Sequence, residues 1–159
     1  MQVTKSQENL LQINSFFSAI WAKGDVREIR LQSVDGTISS GYFDDAELAS
    51  IIADKHNKKE FVYITLNPVH CGCLDRCKNK IKVVGKKDVT TSDNDIIRQD
   101  YILIDCDPVR PAGISSTNEE KDAAFSIAQT IRIDLGIPVV IGDSGNGYHL
   151  LLNCDMLNN

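Results

Sequence analysis

The chain has 159 residues, of which 42% are hydrophobic and 25% charged, and its formal net charge is −5. This length suffices for one domain with its own core, and the composition is typical of a soluble globular protein. Because no apolar run approaches the roughly 20 residues that span a bilayer and the N-terminus lacks a signal-peptide pattern, we expect a cytoplasmic protein without a membrane partner.

Apolar positions at helical spacing predict two helices in the first third of the chain, and two β-rich runs around a turn signal predict a hairpin between them. The turn is Asp35-Gly36, a dipeptide that favours tight hairpin connections. The predicted elements are a helix over residues 4–22, hairpin strands over 28–32 and 37–42, a helix capped by Asp44 or Asp45 that runs to about Lys55, and a strand over 61–66.

Four potential zinc ligands fall close together, as His70, Cys71, Cys73 and Cys77. Zinc sites usually combine two separated ligand pairs, and no second pair follows here. A short helix is expected over residues 74–81. Without a secretion signal, disulfides are not expected among the five cysteines, and the pattern favours free thiols over zinc.

The segment from Arg76 to Lys87 is rich in basic residues and contains no acidic one. Such a run can follow a phosphate backbone, which makes Arg76, Lys78, Lys80 and Lys82 candidate DNA-binding residues. A solvated lysine-rich surface is the favoured interpretation, because the chain as a whole is acidic and most nucleic-acid-binding domains are basic.

Two carboxylates stand at alternate positions directly after an apolar run. Tyr101-Ile102-Leu103 predicts a buried strand, on which Asp105 and Asp107 share one face while Cys106 takes the other. Neighbouring carboxylates stay ionised when a cation lies near them, and hard divalent ions such as Mg²⁺ take oxygen ligands. The pattern predicts a metal site at the two aspartates, and the alternative is simple turn chemistry of Asp and Pro.

The last third of the chain predicts a helix followed by a strand hairpin. Thr117 and Glu120 form a capping box, and Gly136 ends the helix. The residues expected on its buried face are Ala124, Ile127, Ala128, Ile131 and Leu135. Strands over 137–141 and 148–153 are predicted to pair antiparallel. The predicted fold class is α/β, more narrowly α+β, with a mixed sheet flanked by helices.

The turn of this hairpin reads Ser144-Gly145-Asn146-Gly147-Tyr148-His149. Glycine allows a backbone to approach a ligand closely, and successive N–H groups in such a turn can bind phosphate oxygens. A metal site and a phosphate-binding turn together indicate nucleotide chemistry. The alternative is that both glycines only serve the hairpin turn and that His149 is an ordinary surface residue.

The order of these segments and the residues in them resemble the archaeo-eukaryotic primase superfamily, in particular the primase-polymerases of phages, plasmids and other mobile elements. The segments that carry the resemblance are 41–44, 62–68, 105–117 and 144–149, and together they lie within about residues 28–155. An Asp-x-Asp pair alone would be weak support, whereas an ordered set of segments is specific.

The resemblance implies an enzyme, a DNA primase-polymerase that adds nucleotides to a primer or starts de novo on a single-stranded DNA template. It implies that Asp105 and Asp107 bind two Mg²⁺ or Mn²⁺ ions and that His149 contacts the phosphates of the incoming nucleotide. The further nucleotide-binding candidates are Arg110, Ser144, Gly145, Asn146 and Gly147. The implied partners are nucleoside triphosphates, single-stranded DNA and a fused or separate helicase.

In that family a third acidic residue, well downstream, completes the metal site, and the sequence shows no equivalent up to Asn159. We therefore expect residues 1–159 to form a single domain, the N-terminal portion of a primase-polymerase catalytic core with an RRM-like palm portion. The alternative function is a non-catalytic nucleotide- or DNA-binding module of replication or defence. A rolling-circle endonuclease fits poorly because the three histidines are far apart, and a sugar-nucleotide transferase does not account for the glycine turn.

Overall fold

The computed structural model describes residues 5–111 and 113–157. Helices and strands follow the chain in the order α1 (Lys5–Ile20), β1 (Arg27–Gln32), β2 (Ile38–Phe43), α2 (Ala46–His56), β3 (Phe61–Ile64), β4 (Lys82–Val83), β5 (Arg98–Cys106), α3 (Asn118–Leu135), β6 (Val139–Asp143) and β7 (Tyr148–Leu157). Short 3₁₀ helices cover Cys71–Arg76 and Asp93–Asp95. Within this part of the chain no helix is long and apolar enough to cross a membrane.

The chain divides into two compact units, Met1–Gln99 with Met156–Asn159, and Asp100–Asp155. The first contains a four-stranded sheet in the order β3-β1-β2-β4, and the second contains a three-stranded sheet in the order β5-β7-β6. The α+β class is therefore confirmed, while the expectation of one mixed sheet is wrong. The prediction of a single domain stays a prediction.

In the first unit, helices α1 and α2 cover one face of an antiparallel sheet. Both predicted helices and the predicted hairpin are confirmed, with Asp45 capping α2 by accepting from the Leu48 N–H. Strand β3 pairs with β1 although α2 lies between them in sequence. The buried core consists of Phe17, Ile29, Leu31, Phe43, Ala49 and Ala53. Burial of these side chains stabilises the two layers by removing apolar surface from water.

In the second unit, α3 begins and ends as predicted. Thr117 and Glu120 form the reciprocal capping box, and Gly136 ends the helix with a φ of 61°, a left-handed conformation that glycine adopts readily. Strands β6 and β7 form the predicted antiparallel hairpin, in which Asp143 lies opposite Tyr148. The central strand β7 contributes the buried Leu150 and Leu151.

Two burial predictions for this unit are wrong. Ile102 and Leu103 of β5 are 44% and 46% exposed, since β5 is an edge strand of a three-stranded sheet and has a strand neighbour on one side only. Helix α3 is buried through the small side chains of Ala124 and Ala128, one turn apart. Ile127 is exposed because it lies to the side of this alanine contact, and Leu135 is exposed although it lies in line with the two alanines, at the last position of the helix.

The helix predicted over residues 74–81 is also wrong. The 3₁₀ helix ends at Arg76, and the following backbone pairs with the end of β2 instead of continuing a helix. The Tyr42 N–H donates to the Cys77 carbonyl at 2.9 Å, and the Asn79 N–H donates to the Tyr42 carbonyl at 2.7 Å. Long-range backbone pairing therefore overrides the local helical pattern.

Candidate functional site

The hairpin between β6 and β7 ends in a tight turn that its own polar groups close. The Ser144 N–H donates to the Gly147 carbonyl at 3.0 Å, and the Gly147 N–H donates to Ser144 Oγ at 3.0 Å. Gly145 has a φ of 96°, which side chains disfavour. The glycine-rich segment singled out in the sequence is therefore an ordered turn with a defined shape.

This turn lies directly against the end of β5. A Cβ added at Gly147 would stand 2.3 Å from the Cys106 carbonyl oxygen and 2.4 Å from Asp107 Oδ1, far inside van der Waals contact. Only a residue without a side chain allows this approach. Gly147 therefore brings the glycine turn and the two aspartates into one site. They are distant in sequence, since Ser144 follows Asp107 by 37 residues.

The two aspartates are exposed and face the turn. Asp105 and Asp107 have side chains that are 55% and 40% exposed, while Cys106 between them is half-buried, as the predicted alternation requires. His149 Nε2 lies 3.6 Å from Asp105 Oδ1. Ser144 Oγ lies 3.5 Å from Asp107 Oδ1. The structure thus gathers the predicted metal ligands and the predicted phosphate ligand within a few ångströms.

Arg110 joins the same site from the loop after β5. Its Nη2 donates to Asp107 Oδ2 at 3.1 Å, and its Nη1 donates to the Ile114 carbonyl at 2.9 Å. Among the described residues its buried Nε has no hydrogen-bond partner, and neither has the buried Oγ of Ser116. Two buried polar atoms beside the site are therefore left without a hydrogen bond in the described part of the chain.

The turn is also fixed to α3 and the residues before it. The Ser116 N–H donates to Asn146 Oδ1 at 3.1 Å, which links the turn to the residue before the cap of α3. Nucleotide contact through Asn146 stays a prediction. Its observed contact is a structural one that holds the turn in place.

Lys121 and Asp143 form a second anchor that the sequence analysis missed. Lys121 Nζ lies 2.8 Å from Asp143 Oδ2, and Asp143 Oδ1 accepts from the Gly145 N–H at 2.7 Å. The hydrogen bond from Lys121 holds the pKa of Asp143 below its usual value, and the same bond raises the pKa of Lys121. The sequence gives no indication that Lys121 contacts Asp143, because this pair depends on how α3 packs against the hairpin.

The donor chemistry at β5 fits a hard divalent cation, because two exposed carboxylates offer oxygen ligands and leave space for water and phosphate oxygens. Asp107 would bind through an oxygen that it now shares with Ser144 or Arg110. Within the described residues no group of three or more His, Cys, Asp and Glu side chains is arranged to hold a metal. The two aspartates would therefore depend on water or substrate oxygens to complete a coordination shell.

Three of the six basic residues in the segment 76–87 pair with carboxylates. Arg76 binds Asp95 through two hydrogen bonds of 2.7 and 3.1 Å. The candidate DNA-binding residues Lys78 and Lys82 pair with Asp44 and Asp88 at 2.7 and 2.8 Å. Lys80 is exposed and, in the described part of the chain, has no carboxylate partner. DNA contact by these four residues stays a prediction.

The cysteine and histidine cluster uses its polar atoms in other contacts. The Cys73 thiol donates to Asp95 Oδ1 at 3.6 Å, and the Cys77 thiol donates to the Lys80 carbonyl at 3.3 Å. His70 Nδ1 accepts from the Gly72 N–H at 3.0 Å. Burial raises the pKa of the Cys73 thiol, and nearby Asp95 adds to this effect. Cys71 is exposed, whereas Cys73 and Cys77 are buried.

Comparisons with protein-family models, with curated proteins and with solved structures find no match for this chain.

Proposed function

We propose that the second unit is a metal-dependent nucleotidyltransferase site of the DNA primase-polymerase kind. The observation that carries this proposal is the contact between the glycine turn and the Asp105–Asp107 strand end, which Gly147 alone makes sterically feasible. Phosphoryl transfer from a nucleoside triphosphate needs a carboxylate pair for the cation and donors for phosphate oxygens, which the His149 imidazole and the Arg110 guanidinium supply beside the two aspartates. The resemblance to the primase superfamily names the same residues.

In this proposal Asp105 and Asp107 hold Mg²⁺ or Mn²⁺ through their carboxylate oxygens. When bound, a pair of such ions lowers the pKa of the attacking hydroxyl and neutralises charge on the leaving pyrophosphate. Catalysis of this kind depends mainly on positioning and charge neutralisation. An exposed pair of carboxylates on a rigid strand end suits that requirement.

His149 and Arg110 bind the triphosphate in this proposal. His149 is the second residue of β7, directly after the turn. Arg110 is oriented by its hydrogen bonds to Asp107 and to the Ile114 carbonyl. An imidazole N–H and a planar guanidinium are both suitable donors to phosphate oxygens. Arg110 would exchange its contact with Asp107 for a phosphate once a cation neutralises that carboxylate.

The test is metal-dependent nucleotide binding by the chain and by an Asp105→Asn/Asp107→Asn variant. Titration of a fluorescent deoxynucleoside triphosphate with and without Mn²⁺ should show binding that Mn²⁺ strengthens at least tenfold. The variant should lose this dependence on Mn²⁺, because Asn keeps the side-chain shape and removes the charge that attracts the cation.

The matched control is Asp122→Asn, which removes one carboxylate from the exposed surface of α3 in the same unit. It should bind nucleotide as the unchanged chain does. Nucleotide binding that ignores Mn²⁺ in the unchanged chain would contradict the metal site, and equal loss in the control would show a general charge effect.

A nucleotide-binding module without turnover is the second candidate. It is favoured by the presence of two carboxylates, and no third protein ligand, among the described residues of the site. The two candidates differ in a primer-extension assay with a template and Mn²⁺. Extension that disappears in the Asp105→Asn/Asp107→Asn variant supports the enzyme, and nucleotide binding without extension supports the module.

A further inference from the structure

The sheet of the first unit has a second face, opposite the one that α1 and α2 cover. The strand register places on it Glu28, Arg30 and Gln32 of β1, Ile38, Ser40 and Tyr42 of β2, Phe61 and Tyr63 of β3, and Lys82 of β4. At one end Tyr42 and Glu28 are buried, and Thr91 bonds to both: its N–H donates to the Glu28 carboxylate and its hydroxyl to the Tyr42 hydroxyl. The other end, toward β3, is open.

Two aromatic rings stand on this open end. Phe61 and Tyr63 are 60% and 51% exposed, while Val62 and Ile64 between and after them pack on the core. Residues two apart on a strand are about 6.6 Å apart, so the two rings stand side by side on one face. Exposed aromatic rings on an open sheet are a common platform on which unpaired nucleic-acid bases stack.

A guanidinium lies next to the rings, because Arg30 is directly opposite Tyr63 in the strand register. Arg30 Nε and Nη2 donate to the buried Glu28 carboxylate at 3.2 and 2.8 Å. Burial opposes ionisation of Glu28, but hydrogen bonds from Arg30, Ser40 and Thr91 outweigh it and hold its pKa below the usual value. The guanidinium plane is therefore fixed in position by a permanent counter-charge.

A groove runs along this face, and its lining includes Arg30, Gln32, Tyr63, Thr65 and Asn67 as well as the carboxylates of Glu28 and Asp93. Its volume is about 580 Å³, within the range of about 300–1,000 Å³ of small-molecule sites. Amide, hydroxyl and guanidinium groups beside an aromatic ring match the edges and faces of a nucleobase.

The opposite edge of the same sheet supplies positive charge. Lys80 precedes β4, and Lys86 and Lys87 follow it. In the described part of the chain none of these three lysines pairs with a carboxylate. A strand of nucleic acid whose bases stack on β3 would therefore find cations for its phosphates at the opposite edge of the sheet, beside β4.

We infer that this face, defined by Phe61, Tyr63, Arg30 and Gln32, binds single-stranded DNA by stacking bases on the two rings, with Lys80, Lys86 and Lys87 beside β4 contacting the phosphates. This site is separate from the aspartate site and does not rest on the function proposed for it. It would hold a template strand if that function is correct.

The test is fluorescence anisotropy of a labelled oligothymidylate titrated with the chain in EDTA, where no metal-dependent nucleotide site contributes. A Phe61→Leu/Tyr63→Leu variant should bind at least tenfold more weakly, because leucine has no aromatic face on which a base can stack. A Phe61→Tyr/Tyr63→Phe variant keeps both rings and should bind as the unchanged chain does.

A third variant, Lys80→Gln/Lys86→Gln/Lys87→Gln, should lower the slope of affinity against salt concentration. Circular dichroism of every variant verifies that the sheet is intact, which is expected because all these side chains are on the surface. Three results would overturn the inference: no binding by the unchanged chain, equal binding by the leucine variant, or equal competition by double-stranded DNA of the same length.

Discussion

At Gly147 the chain passes so close to the end of β5 that no side chain fits. Most glycines of the described chain do not have this property: a Cβ at Gly142, one strand earlier, would meet nothing within 4 Å. The sequence analysis noted both glycines of the turn for their backbone freedom. The steric requirement at Gly147 is a different and stronger constraint, and it depends on the neighbouring strand.

Gly147→Ala should therefore displace the turn from β5. Overpacking of this kind costs about 1–3 kcal/mol in folding free energy, and the displacement separates His149 from the aspartates. The measurements are the midpoint of urea denaturation and the affinity for nucleotide in Mn²⁺, and both should decrease.

Gly142→Ala is the matched control for this change. It adds the same methyl group within the same hairpin, where there is space. Comparable losses in both variants would mean that the hairpin tolerates no added bulk, and the special role of Gly147 would be wrong.

The ion pair of Asp95 with Arg76 predicts that the stability of the first unit depends on pH. Two hydrogen bonds from Arg76 hold the pKa of Asp95 well below its usual value of 3.8, and Ser92 contributes further bonds. A depressed carboxyl pKa stabilises the fold above the unfolded-state value, and that contribution is lost as the pH falls below it. We expect Asp95→Asn to cost about 1–3 kcal/mol at pH 7, and the difference from the unchanged chain to shrink below about pH 4.

Asp88→Asn tests the same idea at a surface pair. Asp88 binds Lys82, but both side chains are well exposed, so solvent screens the interaction. This variant should show little change in denaturation midpoint at any pH. If Asp95→Asn behaved in the same way, the Arg76 contact would be unimportant for stability.

Among the secondary-structure elements, the sequence correctly predicted helix starts and hairpin turns, which depend on residues close together in the chain. The capping residues Asp45 and Thr117 begin their helices as expected, and the Asp35-Gly36 turn joins a true hairpin. The exposed Ile127 and the helix expected over residues 74–81 were wrong for a shared reason. Each depends on a partner element distant in sequence, which a periodic pattern cannot identify.

The cap of α3 contributes to stability through two reciprocal hydrogen bonds. Thr117 Oγ1 accepts from the Glu120 N–H at 3.2 Å, and the Glu120 carboxylate accepts from the Thr117 N–H at 2.8 Å. Thr117→Ala should lower the free energy of unfolding by about 1 kcal/mol, because the first turn of the helix loses a hydrogen-bond acceptor. Thr117→Ser keeps the hydroxyl and should retain most of that stability. Equal denaturation midpoints for the two variants would show that the capping bond does not contribute.

For the molecule as a whole, the fold class and most residues of the candidate site were predicted from the sequence, while the way the elements pack together was not. Strands β1 and β3 pair across a helix, and so do β5 and β7, and no local pattern specifies such neighbours. The two aspartates and the glycine turn were predicted as separate features. Their contact through Gly147, and the support from Lys121 and Asp143, required the packed structure.

The uneven burial of the five thiols gives the molecule a natural position for a chemical label. Thiol reagents attack accessible thiolates, so burial and a raised pKa both slow the reaction. Cys73 and Cys77 are buried and Cys106 and Cys154 are half-buried, which leaves Cys71 as the exposed thiol. A fluorophore attached there would stand at the start of the 3₁₀ helix that leads into the basic segment, and it would need no engineered cysteine.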